Sequence, residues 1–101
     1  MDAFTVVADP TRRRILDELR GRERTVSDLV SALGVAQPTV SKHLRVLRDS
    51  RMVASTVDAQ HRRYRLEEQG LRELDEWVSA FRRLWTTRLD ALEAHLDGRH
   101  R

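Results

Sequence analysis

Between Gln37 and Arg45 the chain carries side chains suited to reading hydrogen-bond patterns rather than to making or breaking covalent bonds. On a helical wheel of ~100° per residue, Val40, Leu44 and Leu47 form one tight apolar stripe. Pro38, Lys42, Arg45 and Asp49 fall directly opposite. Gln37 and Ser41 lie on the flank nearer that outer face, and Thr39 and His43 lie on the other flank. Gln can pair twice with adenine, Arg with guanine, and Ser or Thr with either base. A helix start also presents free backbone N–H groups to phosphate. An outward face of this make-up fits a DNA major groove. It also fits an ordinary solvated helix face, so the neighbouring segments decide.

The next cluster is His61-Arg62-Arg63-Tyr64-Arg65. Met52–Val57 and Arg62–Leu66 are short β-favouring runs separated by Asp58-Ala59-Gln60-His61, which predicts a β-hairpin with arginines at or beside its tip. If Tyr64 and Leu66 point inward, alternation turns Arg63 and Arg65 outward. Such a wing would touch the phosphate backbone or enter a minor groove, where negative potential attracts arginine. Charge is distributed accordingly. Residues 1–36 carry six cations and six anions, residues 37–66 seven and two, and residues 67–101 six and eight. The positive excess therefore coincides with the helix and hairpin just described, as expected for a DNA footprint.

The elements that position these residues are read from punctuation and periodicity. Phe4, Val7 and Ala8 suggest a short leading helix. Asp9-Pro10 reads as an N-cap with proline at the first helical position, and Ile15, Leu16 and Leu19 line the helix that follows up to Gly21. Thr25-x-x-Asp28 resembles a capping box opening a helix with Val26, Leu29, Val30 and Leu33 as its stripe, closed by Gly34. After the turn at Val35-Ala36-Gln37 comes the recognition helix, about 37–50, then the wing, about 52–66. Two helices joined by such a short turn form a helix-turn-helix. From about 68 to 96 the apolar positions Leu71, Leu74, Val78, Phe81, Trp85, Leu89, Leu92 and Leu96 recur at helical spacing, with Trp77 and Leu84 widening the stripe. The expected fold is mainly α with one hairpin, in the order four helices, two strands, one long helix, within a single domain spanning 1–101.

Composition narrows the function. The 101 residues include 19 Lys plus Arg against 16 Asp plus Glu, and only Lys42 is a lysine. There is no cysteine, which excludes disulfides, thiolate metal sites and a cysteine nucleophile. No apolar run exceeds that of Val6–Ala8, so no membrane span is expected, and Met1-Asp2-Ala3 lacks a signal-peptide pattern; a cytoplasmic protein is the expectation. No serine stands with a histidine and an acid in a recognisable catalytic arrangement, and no glycine-rich phosphate loop occurs. The pairs Asp17-Glu18 and Glu67-Glu68 read as helix-surface and helix-start charges. The chain is not expected to be an enzyme and needs no cofactor.

Asp9-Pro-Thr-Arg-Arg-Arg-Ile-Leu, Thr25-Val-Ser-Asp-Leu, the run Gln37–Arg48 and Arg62-Arg-Tyr-Arg-Leu, taken in order, resemble the ArsR family of bacterial winged-helix repressors. The resemblance covers essentially the whole chain, and Gln37–Arg48 is its most specific part. It implies a homodimer built from the terminal helices and bound to an inverted-repeat operator in double-stranded DNA. Carried over, Gln37, Pro38, Thr39, Ser41, Lys42 and Arg45 lie nearest DNA, with His61, Arg62 and Arg63 in the wing. Phe4, Val7, Leu71, Leu74, Val78, Phe81, Trp85, Leu89 and Leu92 fall at the dimer interface. Two positions depart from the pattern: Ala36 stands where a serine cap is common, and the wing lacks its usual glycine.

Many members of that family sense metals. The thiolate route is closed without cysteine. The zinc-type route needs an Asp-x-His pair and a further histidine on the last helix, whereas only His95 lies there, with Asp97 and His100 in a loose tail cluster. No metal site is expected. A helix of nearly thirty residues is about 43 Å long, more than a small domain can cover, so part of its stripe needs a partner outside the chain's own core, and a second copy is the simplest. Two other readings stand beside this one. The stripe Trp77, Phe81 and Trp85 can line a pocket for a small-molecule inducer, and the winged helix or long helix can serve as a protein-interaction module.

Overall fold

A computed structural model describes residues 1–99 of the chain, and elements appear in the expected order. Helix α1, Ala3–Ala8, starts where the Asp2 side chain accepts the Thr5 N–H. Helix α2, Pro10–Glu18, starts at Asp9, whose carboxylate accepts the N–H groups of Thr11 and Arg12 at 2.8 and 3.1 Å. That carboxyl is held below its ordinary value, chiefly by the Arg12 N–H, with burial working against the shift and the charges of His43 and Arg12 adding to it. The Arg12 guanidinium reaches back to the Val6 carbonyl at 2.7 Å, tying α1 to α2.

Helix α3, Val26–Leu33, has the capping box its sequence encodes. The Thr25 N–H donates to Asp28 and the Asp28 N–H donates to the Thr25 hydroxyl. The backbone N–H and hydroxyl of Thr25 are the main causes that keep the Asp28 carboxyl below its usual range. Gly34 closes α3 at φ 66°, a left-handed conformation that costs glycine little. Helix α4, Gln37–Asp49, follows after two residues.

Helices α2, α3 and α4 pack around Ile15, Leu19, Leu29, Leu33, Val40, Leu44 and Leu47, all buried. Val6 closes one side. Met52, Val53 and Tyr64 close the side under the hairpin. Among the described residues no polar or charged residue is buried, so the interior of this core is apolar, while at its edge the Arg14 guanidinium donates to the Leu33 carbonyl at 3.0 Å and ties α2 to α3.

Strands β1, Val53–Asp58, and β2, His61–Leu66, pair antiparallel from Val53↔Leu66 to Asp58↔His61. The expected first run began at Met52, one residue early. Met52 instead donates its N–H to the Leu47 carbonyl at 3.0 Å and is buried as the joint between α4 and the hairpin. The two-residue tip has no glycine; Ala59, at φ 55°, adopts the left-handed conformation in its place.

Helix α5, Arg72–Arg99, starts four residues later than expected and continues past Leu96. The reason lies at Gly70. Its N–H is drawn to the Arg51 carbonyl at 2.7 Å, and Gln69–Leu71 closes as a 3-10 turn with the Leu71 N–H on Glu68. A Cβ at Gly70 would stand 2.6 Å from the Arg51 carbonyl oxygen, inside van der Waals contact, with the Ser50 carbonyl crowding it further. Gly70→Ala should therefore force the α4–β1 turn apart and cost about 1–3 kcal/mol, the range of overpacking. Urea unfolding checks this, and an unchanged midpoint would show that the joint yields.

Candidate nucleic-acid interface

The buried stripe of α4 fixes what its other side presents. Val40, Leu44 and Leu47 are buried, and Gln37, Pro38, Thr39, Ser41, Lys42 and Arg45 are all exposed. Among the described residues, Lys42 and Arg45 take part in no ion pair. The helix opens at Ala36 without a side-chain cap; Pro38 has no N–H, and the Thr39 and Val40 N–H groups donate to the Ala36 carbonyl at 3.1 Å, so the Gln37 N–H is the one left for a ligand at this end. His43, on the flank, is half-buried, and its Nδ1 has no hydrogen-bond partner among the described residues.

The hairpin stands beside this helix and is anchored at a place the sequence does not advertise. Arg24 pairs with Tyr64 as a one-residue third strand. Its N–H donates to the Tyr64 carbonyl at 3.0 Å, and the Tyr64 N–H donates back at 2.8 Å. The Arg24 guanidinium donates to Glu18 at 2.7 Å, with the two side chains only 19% and 28% exposed. Arg22 meets the same carboxylate at 3.3 Å. The wing is thus tied through Arg24 to the end of α2 and the start of α3. The only sequence sign of this is Arg24's place just ahead of the Thr25 cap, which fixes its backbone but not its partner.

Alternation in β2 sorts the wing residues. Arg62, Tyr64 and Leu66 share one face, and His61, Arg63 and Arg65 the other. Tyr64 is 7% exposed and Arg65 is exposed, as alternation requires. Arg63 is half-buried, 3.6 Å from Asp58, and its charge helps to lower the Asp28 carboxyl on α3. Arg62 shares the face of Tyr64 and borders a groove against α4 together with Ser41, Arg45, Arg48 and Asp49. The structure therefore brings Ser41, Arg45 and Arg62 around one groove, while Gln37, Pro38 and Thr39 stand at the helix start and His61 at the exposed tip. Arg48, which helical spacing alone does not place among the outward-facing residues, also lines this groove.

Helix α5 departs from the rest of the molecule, which extends 68 Å along its longest axis against 26 and 23 Å across. Leu71 and Leu74, and Val7 of α1, pack against the chain's own core. Phe4 meets Trp77 edge-on with ring centroids 5.5 Å apart, and Trp77 meets Phe81 at 4.9 Å. Beyond these, Val78, Phe81, Leu84, Trp85, Leu89, Leu92 and Leu96 are exposed, Trp85 by 62%. Among the described residues no three His, Asp or Glu side chains gather as metal ligands. His95 is exposed on α5, and His100 lies outside the described residues. No described helix is long and apolar enough to cross a membrane.

A helix-turn-helix flanked by an arginine-bearing hairpin defines a winged helix-turn-helix protein. Residues 9–55 match the family model "Bacterial regulatory protein, arsR family". The transcriptional repressor SdpR of Bacillus subtilis is 30% identical over 79% of this chain and 89% of its own length. The HTH-type transcriptional regulator Rv2034 of Mycobacterium tuberculosis is 34% identical over 94% of this chain and 86% of its own. A crystal structure described as a possible transcriptional regulator for arsenical resistance superposes with a TM-score of 0.72 at 37% identity, covering 93% of this chain and 95% of that one. The chain belongs to the ArsR family, a family of DNA-binding transcriptional regulators and not of enzymes.

The Arg24 anchor yields a direct test. Glu18→Ala leaves a half-buried guanidinium without its carboxylate and should cost about 1–3 kcal/mol. Hydrogen exchange at the Arg24 and Tyr64 amides should accelerate more than at the α2–α3–α4 core. Uniform acceleration, or none, would show that the wing does not depend on this pair.

Proposed function

We propose that the chain is a homodimeric repressor that binds an inverted-repeat operator through α4 and the wing, as one winged helix-turn-helix unit working in the cytoplasm. The observation that carries this is the exposure of every reading candidate on α4 opposite a fully buried stripe, beside a hairpin that adds further arginines. In this reading Gln37 pairs with adenine, Arg45 with guanine, and Thr39 and Ser41 adjust to either. Lys42 is a point charge for phosphate, and His61, Arg62 and Arg63 follow the backbone beside the groove.

Homodimerisation is supported by the exposed stripe of α5. Val78, Phe81, Trp85, Leu89 and Leu92 recur at helical spacing along one face of α5 and are each 40–62% exposed, and Phe4 of α1 meets that face through Trp77. Val7, Leu71 and Leu74 form its inner end, shared with the chain's own core. A two-fold pairing of such helices places two copies of α4 on one face of a duplex, with half-sites about 34 Å apart or a multiple of that.

Electrophoretic mobility shift on the chain's own promoter tests the DNA reading. Arg45→Ala should weaken operator binding by about 1–3 kcal/mol and random duplex much less, as a base contact does. Lys42→Ala should weaken both and lower the salt slope by about one unit. Equal loss on both duplexes for Arg45→Ala would make it a phosphate contact instead. Sedimentation of the wild type should give a dimer, and Trp85→Glu a monomer. A monomeric wild type would remove the two-fold operator reading.

A further inference from the structure

We infer that the groove between the later turns of α4 and strand β2 is a seat for a phosphate of the DNA backbone, with Arg48 as its principal cation. The inference rests on the DNA-binding reading above and adds a contact that lies outside the outward face of the helical wheel. Arg48 stands two turns beyond Ser41 on the same flank of α4, the flank turned toward β2.

The donor set points to the ligand. Three arginines, Arg45, Arg48 and Arg62, line the groove with Ser41, Leu44 and Tyr64, and Asp49 is the one acidic residue among them. Among the described residues Arg45 and Arg48 make no side-chain hydrogen bond or ion pair, and Arg62 makes only a 3.5 Å contact with the Ser55 hydroxyl. Tyr64 is 7% exposed, yet it borders this groove, and no described residue hydrogen-bonds its hydroxyl. A site this rich in donors and this poor in acceptors is matched by a group that only accepts. A phosphate diester does so through two anionic oxygens that suit the guanidinium fork. A guanine edge also only accepts, through N7 and O6, but it is neutral, and several guanidinium groups facing one groove are better matched by the charge of a phosphate.

Position favours the backbone over a free anion. Helix α4 has 13 residues and is about 20 Å long, whereas the major groove is about 12 Å wide. With its first turns in the groove, a helix of this length has turns left over outside it, and Arg48 lies on those turns. The wing closes the other wall of the seat through Arg62, so one phosphate is gripped from both elements. That contact is indifferent to sequence and fixes how far the helix enters the groove.

The test uses the full chain, the promoter duplex and a random-sequence duplex, each over a range of salt. Arg48→Ala should weaken binding to both duplexes alike, by about threefold to tenfold, and lower the slope of log K against log salt by about 0.9. Arg48→Lys should recover the slope with part of the affinity, since charge remains without the fork. Asp49→Asn should tighten both duplexes by removing the one repulsive group. Circular dichroism and thermal midpoints equal to wild type show that these exposed positions leave the fold intact. Unchanged duplex affinity and slope in Arg48→Ala overturn the inference. So does a loss confined to the promoter duplex, which would make Arg48 a base contact. Titration with inorganic phosphate alone separates the remaining case. Saturable binding abolished by Arg48→Ala, with duplex affinity intact, would make the groove a free-anion site and overturn it. A wild-type chain that binds neither duplex overturns the DNA reading and this inference together.

Discussion

The molecule depends on the burial of Val40, Leu44 and Leu47 along one side of α4. These three side chains hold the helix against α2 and α3, and a helix held on one side has only one side left to offer. The exposed polar face is therefore not an independent feature. Each turn that fastens α4 to the core also sets the rotation at which Gln37, Ser41, Lys42 and Arg45 meet the exterior. Rotating the helix by one residue would bury Ser41 or Arg45 and uncover leucine, and apolar burial makes that rotation costly.

The wing is held differently. Its outer half has no core of its own, since from Thr56 to Arg62 every residue is exposed. What fixes it is polar: the backbone exchange between Arg24 and Tyr64, backed by the Glu18 carboxylate. Hydrogen bonds fix register and direction where little apolar area is available, and charge assistance strengthens them in a partly desolvated place. Helix and hairpin are thus set beside each other by two unrelated forces, and the arginine-lined groove lies where they meet.

Much of this was legible in the residues. Helix periodicity placed the stripe of α4, Asp9-Pro10 and Thr25-x-x-Asp28 placed two helix starts, and Gly34 placed a stop, because each is a local signal acting within a few residues. The hairpin was legible from its β-favouring runs, but its tip was not, since Ala59 does by strain what glycine does without it. The start of α5 was misplaced because a tertiary hydrogen bond from Gly70 to Arg51 overrides the local pattern. The Arg24 anchor and the place of Arg48 in the groove were illegible for the same reason. Both are fixed by contacts between segments far apart in sequence, and arginine is too common here for its type to signal either. Helical spacing shows that part of the α5 stripe exceeds the chain's own core but not which part; Leu71 and Leu74, with Val7 of α1, pack against that core.

The contact at Gly70 makes the root of α5 a rigid coupling. Backbone meets backbone there, with no side chain between to absorb a displacement by changing rotamer. The other side of that contact, Ser50 and Arg51, is the stub of α4 itself. In the dimer proposed above, α5 then behaves as a tiller. A change in how two such helices crossed would then reach the ends of both α4 helices through a backbone contact, and the spacing between them would follow the crossing angle.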